Sequence, residues 1–276
     1  LSGFSADWLA LREPHDHAAR SVSVLAELAA WANARGGALR ALDLGSGTGS
    51  TLRAVAPAIP ALRDWTLAEH DPVLIEQGRQ SLAAAPETAA LRWAYTEVDL
   101  APGLPDRLLD GVDLVTASAL IDLVSADWLA RLVEALRGRG IAVYVALTYD
   151  GRLDWTPVDP DDDRVHRLFD RHQRTDKGFG PALGPAAAAA LERSLASLAG
   201  RTVAAPSDWA LAPSDHAIQA AMLAGVADAA RAIEPAASAV IDAWTRRRGA
   251  LLDAGRSALR VGHRDVLYLP PAARTA

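Results

Sequence analysis

The chain has 276 residues, half of them hydrophobic, no cysteine, and a formal net charge of −6 at pH 7. Its apolar content is enough for a sizeable core, and the lack of cysteine excludes disulfides, thiolate metal sites and cysteine nucleophiles. The acidic balance argues against a broad basic nucleic-acid surface, and no apolar run reaches the roughly 18 residues of a membrane span, so a soluble, cytoplasmic protein is expected.

The N-terminal stretch "WLALREPHDHAARS" contains Arg12, His15, His17 and Arg20. His15 and His17 form H-x-H with no further ligand nearby, so no metal site is expected. A first helix is predicted from Val22, Leu25, Leu28 and Ala32, with Gly36 and Gly37 as its stop. Five strands are then predicted at residues 39–44, 64–69, 91–98, 111–118 and 140–149, each a short apolar or β-branched run suited to a buried parallel sheet. Between them, Asp71-Pro72 and Ser125 open helices, the acid and the hydroxyl as caps and the proline in the first helical position.

After residue 150 charge, proline and glycine accumulate, and the segment reads as an insertion with a helix near 161–171 and a second in "PAAAAALERSLASLA". In the first of these, Asp162 and Asp163 are read as stabilising the helix N-terminus, with His166 solvated. Lys177, the only lysine of the sequence, follows in a glycine-rich loop, "RTDKGFGPALG". Two closing strands, "RTVAAPSDWALA" and "SALRVGHRDVLYLP", enclose helices near 214–232 and 234–254. Arg246, Arg247 and Arg248 read as a solvated helix face, and Trp128 and Trp209 as core or interface residues. Alternating strands and helices predict a single α/β domain over 1–276. Its parts are an N-terminal helical cover (1–37), a core (38–150), a helical insertion acting as a lid (151–200) and closing strands and helices (201–276).

The most informative stretch is "ALRALDLGSGTGSTLRAV", residues 38–55, where a strand ends in Asp43 and is followed by Gly45, Gly47 and Gly49. Glycines at alternate positions let a ligand approach the backbone closely. A phosphate-binding P-loop needs a lysine that is absent here, and the dinucleotide fingerprint needs a glycine where the chain has Ser50. Glu69 ends the next strand about 20 residues on, where a carboxylate can accept ribose hydroxyls.

With its acid and G-x-G-x-G turn, Glu69 in "AEHDP", Asp99-Leu100 after the third strand and "DLVTASAL" in the fourth, the chain resembles the class I S-adenosylmethionine-dependent methyltransferases. The resemblance implies a Rossmann-like, doubly wound, mostly parallel seven-stranded sheet with a helical insertion between the fifth and sixth strands. It implies S-adenosylmethionine as cofactor and S-adenosylhomocysteine as product, held by Asp43, Gly45, Ser46, Gly47, Gly49, Glu69, His70, Asp99, Leu100 and Ser118. Arg20 is the preferred cation for the methionine carboxylate, against an alternative surface ion pair with Asp16. Asp122, Tyr149, Asp150 and Lys177 are the residues expected to face the substrate, and no catalytic base is assigned.

The segment "SALIDLVS" replaces the Asn/Asp-Pro-Pro-aromatic motif of enzymes that methylate DNA-base amines. The expected activity is methyl transfer to an oxygen or nitrogen of a small-molecule acceptor, with neither nucleic acid nor membrane as partner. Two alternatives stay open: a nicotinamide-dependent oxidoreductase with Glu69 on a ribose, and a catalytically silent S-adenosylmethionine-binding scaffold.

Overall fold

The structure, a computed structural model, describes residues 5–271; residues 1–4 of the expected N-terminal cover and 272–276 of the closing segment lie outside the described residues. Two helices lead in, α1 (Ala6–Ala19) and α2 (Val22–Arg35), each capped by a serine whose hydroxyl accepts a backbone N–H of the first turn. An alternating core follows: β1 (Leu39–Leu44), α3 (Ser50–Val55), β2 (Leu62–Glu69), α4 (Pro72–Ala84), β3 (Arg92–Glu97), β4 (Leu114–Ser118), α5 (Ala126–Leu136) and β5 (Ala142–Thr156). The remainder is α6 (Asp162–Gln173), α7 (Ala187–Leu195), β6 (Arg201–Pro206), β7 (Trp209–Leu211), α8 (His216–Ile233), α9 (Ser238–Asp253) and β8 (Ala258–Leu269). Asp71 and Ser125 cap α4 and α5 through Val73 N and Trp128 N, as their positions before the apolar runs predict.

The strands lie in the order β3-β2-β1-β4-β5-β8-β6, with β7 pairing β8 off this path. The first five are mutually parallel, and β8 runs antiparallel to β5, β6 and β7. Open parallel sheets of this kind place ligand crevices at the carboxyl ends of their strands, where β1 and β4 part to opposite neighbours.

Three elements differ from the sequence-based expectation. Within the expected helical cover no separate helix was read before Val22, yet α1 forms there; its buried positions include Arg12 and Asp16, so it lacks a simple apolar stripe. Strand β5 runs on to Thr156, because Leu153 and Trp155 are buried while Arg152, Asp154 and Thr156 are exposed, a period of two that charge concealed. The segment expected as one strand at 201–212 breaks after Pro206 into β6 and β7, which pair with different stretches of β8, giving eight strands in all.

The core has three parts. On one face of the sheet α5 and α7 cover Leu42, Leu44, Val115 and Val143; on the other α2 and α3 cover Ala41, Trp65, Leu67 and Tyr144. The third part lies beyond the strand ends, where the far halves of β5 and β8, with β7, pack against α6, α8 and α9 through Trp155, Leu168, Trp209, Val226 and Trp244. Two of the arginines expected to be solvated hold this cap together. Arg248 is fully buried, pairs with Asp162 and lies 5.4 Å from the Trp155 ring centre, and Arg247 pairs with Asp159 and Asp161. The acids that open α6 thus anchor α9.

Candidate functional site

The glycine turn leaves β1 with Gly45, Gly47 and Gly49 all at positive φ, 61°, 52° and 83°. A Cβ at Gly45 would lie 3.4 Å from Leu120, one at Gly47 3.1 Å from Leu9, and one at Gly49 2.9 Å from Leu82. Side chains are therefore disfavoured here by conformation and, at Gly49, by space as well. Glu69, only 5% exposed, braces the turn from β2. Its Oε2 accepts Gly47 N at 2.9 Å, and its Oε1 accepts His70 N at 2.8 Å and Asp71 N at 3.1 Å. His70 Nδ1 also lies 3.0 Å from Oε1, so the acceptor position left open is on Oε2, beside the Gly47 amide.

In front of the turn lies a cavity of 540 Å³. Its floor is the turn and Glu69, its sides Asp99, Leu100 and the end of β4, where Ala119 has a positive φ of 49°. Helix α1 forms the roof with Leu9, Arg12 and Asp16. It is latched to the turn region by Glu13, which takes a two-pronged ion pair from Arg53 (2.7 and 2.6 Å), and by His17, whose Nε2 lies 3.0 Å from Ser50 Oγ. The other wall is the last turn of α6, with His172, and the loop after it, with Thr175, Lys177 and Phe179. That loop is stapled to the β4–α5 connection by Leu183 N to Val124 O (2.8 Å) and Gly184 N to Asp122 O (2.9 Å), and Phe179 packs edge-on against Trp128.

Of the residues singled out from sequence, Gly45, Ser46, Gly47, Glu69, His70, Asp99, Leu100, Ser118 and Lys177 line this one cavity. The others lie outside its lining. Gly49 sits behind the turn against Leu82. Asp43 is fully buried and turned toward β4, with Oδ1 accepting from Thr116 and Oδ2 unpartnered; burial pushes its carboxyl up to about 7. Arg20 does not pair with Asp16. It is buried behind Ser118, donating to Ser118 Oγ at 3.2 Å and to Tyr144 Oη at 3.4 Å. Asp16 instead pairs with Arg12 at 2.8 Å and accepts the Trp209 indole N–H, so Arg12, which the sequence reading passed over for Arg20, is the roof's cation.

Asp122, beside the lining residue Leu123, has one buried, unpartnered oxygen, and burial raises its pKa to about 6. Tyr149 is drawn away into the cap, where its hydroxyl donates to Asp170 at 3.0 Å and meets His166 at 3.1 Å; His166 is therefore not merely solvated. Asp150 is held with Asp208 on the Arg152 guanidinium, away from the cavity. Among the lining residues, Leu9, Asp16, His172 and Phe179 had no functional signal in the sequence; only the spacing of Arg12 and Asp16, one helical turn apart, was available to suggest a pair.

No family model matches the chain, and no curated protein does. Among solved structures, the chain is similar to a SAM-dependent methyltransferase from Geobacter sulfurreducens in complex with S-adenosyl-L-homocysteine. The two are 17% identical, with 98% of this chain and 100% of that one covered and a TM-score of 0.50. An O-methyltransferase family protein from Burkholderia thailandensis is 17% identical over 93% of this chain and 57% of that one, with a TM-score of 0.46. A SAM-dependent methyltransferase from Thiobacillus denitrificans, also in complex with S-adenosyl-L-homocysteine, is 17% identical over 96% and 99%, with a TM-score of 0.45. The first likeness, together with the strand order, identifies the fold as the Rossmann-like, open, mostly parallel methyltransferase sheet.

Proposed function

We propose that the chain is an S-adenosylmethionine-dependent methyltransferase that alkylates an oxygen or nitrogen of a small-molecule acceptor. The observation that carries this reading is the cradle of Gly45 and Gly47 at positive φ, closed from below by the buried Glu69 carboxylate and opening into 540 Å³ of space. That volume lies within the roughly 300–1,000 Å³ of small-molecule and cofactor sites. The donor set fits the cofactor. Glu69 would offer its open acceptor position to a ribose hydroxyl, Asp99 and Leu100 would hold the adenine, and Ser118, with Arg20 behind it, would meet the methionine end.

S-adenosylmethionine supplies a methyl group on a sulfonium that is already electrophilic, so the protein's task is chiefly alignment and exclusion of water. Helix α1 and the loop after α6 perform the exclusion, lying over opposite sides of the cavity. Arg20 orients the Ser118 hydroxyl and places a buried positive charge beside the strand end. The segment 151–200 acts as the substrate lid through its 172–179 loop, and the protein works in the cytoplasm on an acceptor free of nucleic acid and membrane.

Isothermal calorimetry with S-adenosylhomocysteine and with NAD separates the readings, since each ligand binds only its own site. Binding of S-adenosylhomocysteine with no response to NAD supports the methyltransferase. The reverse pattern installs the nicotinamide-dependent oxidoreductase, and binding of neither overturns both.

A further inference from the structure

Lys177 is the only lysine in the chain; every other basic residue among the 28 is arginine. Arginine serves even at the buried positions 12, 20 and 248. The one ammonium side chain lines the cavity, with Nζ 3.0 Å from Thr175 Oγ1 and 3.3 Å from His172 Nδ1. Among the described residues no ion pair engages it. Asp176 beside it directs Oδ1 to Gly178 N and Gly180 N instead, at 2.7 and 3.0 Å.

The cavity's other titratable groups have their own partners or stand on other elements. Arg12 is paired with Asp16 on α1, Glu69 is bound to the turn amides with His70 beside it, and Asp71 and Asp99 follow β2 and β3. An anion-docking role would be met as well by the arginine this chain uses everywhere else. What lysine offers and arginine does not is an amine whose hold on its proton burial can weaken.

We propose that the Lys177 amine takes the proton of the methyl-accepting group, a role that rests on the methyltransferase reading above. The acceptor's O–H or N–H bond breaks and its proton passes to Nζ, while the acceptor's electron pair forms the new bond to the methyl carbon. The carbon–sulfur bond breaks with its pair left on sulfur. The ammonium so formed releases its proton to solvent, and His172 Nδ1, 3.3 Å away, accepts a hydrogen bond from it. Burial favours the neutral amine, holding Lys177 below the usual lysine range; burial and the adjacent Lys177 charge likewise hold His172 below the usual histidine range.

A sole lysine makes the test direct. Protein labelled with ¹³C-lysine gives one side-chain Cε resonance, that of Lys177, which is titrated with pH in the free and the S-adenosylhomocysteine-saturated protein. The expected midpoint lies below that of a free lysine side chain in both forms, and a midpoint at or above it overturns the proposal. In parallel, Lys177→Arg and Lys177→Met are compared with the parent for S-adenosylhomocysteine affinity by calorimetry and for methyl transfer to a panel of phenols and primary amines. Unchanged affinity with transfer reduced by about 10²–10⁴-fold in both variants is expected for a lost base. Transfer retained by Lys177→Arg within threefold of the parent assigns the residue to charge or packing and overturns the proposal. A parent that fails to bind S-adenosylhomocysteine removes the methyltransferase reading itself, and the calorimetry distinguishes that failure from the other.

Discussion

Gly47 has a φ of 52°, and its missing Cβ would lie 3.1 Å from Leu9 of the roof. Gly47→Val therefore strains the turn and narrows the space between it and α1 at the same time. The expected outcome is loss of S-adenosylhomocysteine binding by calorimetry with the far-UV circular dichroism of the parent retained. Asp43 offers a test by pH. Its carboxyl is raised by burial from 3.8 to about 7, so between those values the folded protein holds a proton that the unfolded chain has released. Stability thus falls as pH rises through that window. Asp43→Asn should gain on the parent progressively from pH 3.8 to about 7 and no further above it, read from thermal unfolding at stepped pH. At this scale the meeting of Gly45, Gly47, Glu69 and Asp99 at one cavity was legible because each stands just past the carboxyl end of a strand or ends one, at a position the strand pattern marks. The choice between Arg12 and Arg20 was not, because it is decided by Trp209 and Ser118, 197 and 98 residues away respectively in the chain.

Helix α1 shows what is at stake when such a choice is settled by packing. Arg12 and Asp16 are each about nine-tenths buried, and the Arg12 guanidinium lies 5.9 Å from the Trp8 ring centre and 5.1 Å from that of Trp209. Removing the acid strands a buried charge and takes the acceptor from the Trp209 indole N–H. Asp16→Ala is expected to cost about 3–5 kcal/mol in urea unfolding. Strands β1, β2 and β4 were readable from their apolar runs because both faces of the sheet are covered there, and α5 from the helical spacing of its buried Trp128, Leu129, Leu132, Val133 and Leu136. Helix α1 and the far half of β5 were not, since each mixes charge with apolar residues against the cap. Strand β5 did carry a usable signal, the alternation of Leu153 and Trp155 with exposed neighbours.

Across the whole molecule, β5 and β8 tie the parts together. Val143 and Val266 lie in the first core, Tyr144 and Leu267 in the second, and Leu153 and Val261 in the third. The cap thus shares two continuous strands with the sheet, and thermal unfolding is expected as one transition with coincident calorimetric and fluorescence midpoints; an earlier, separate cap transition would refute this. The mostly parallel sheet was legible through the alternation of elements, whereas the cap, assembled from α6 and from the later α8 and α9, was visible only in part as an insertion. The roof latch has a kinetic consequence. Because Arg53 and Glu13 fasten α1 over the turn, parting of that pair is expected to speed the departure of a ligand held beneath the roof, through an ionic contact outside the cavity lining. Dissolved salt weakens such a contact only in part, because the two side chains are 10% and 19% exposed. Stopped-flow tryptophan fluorescence should show S-adenosylhomocysteine departing modestly faster as ionic strength rises, and Glu13→Gln should release it rapidly at every salt concentration.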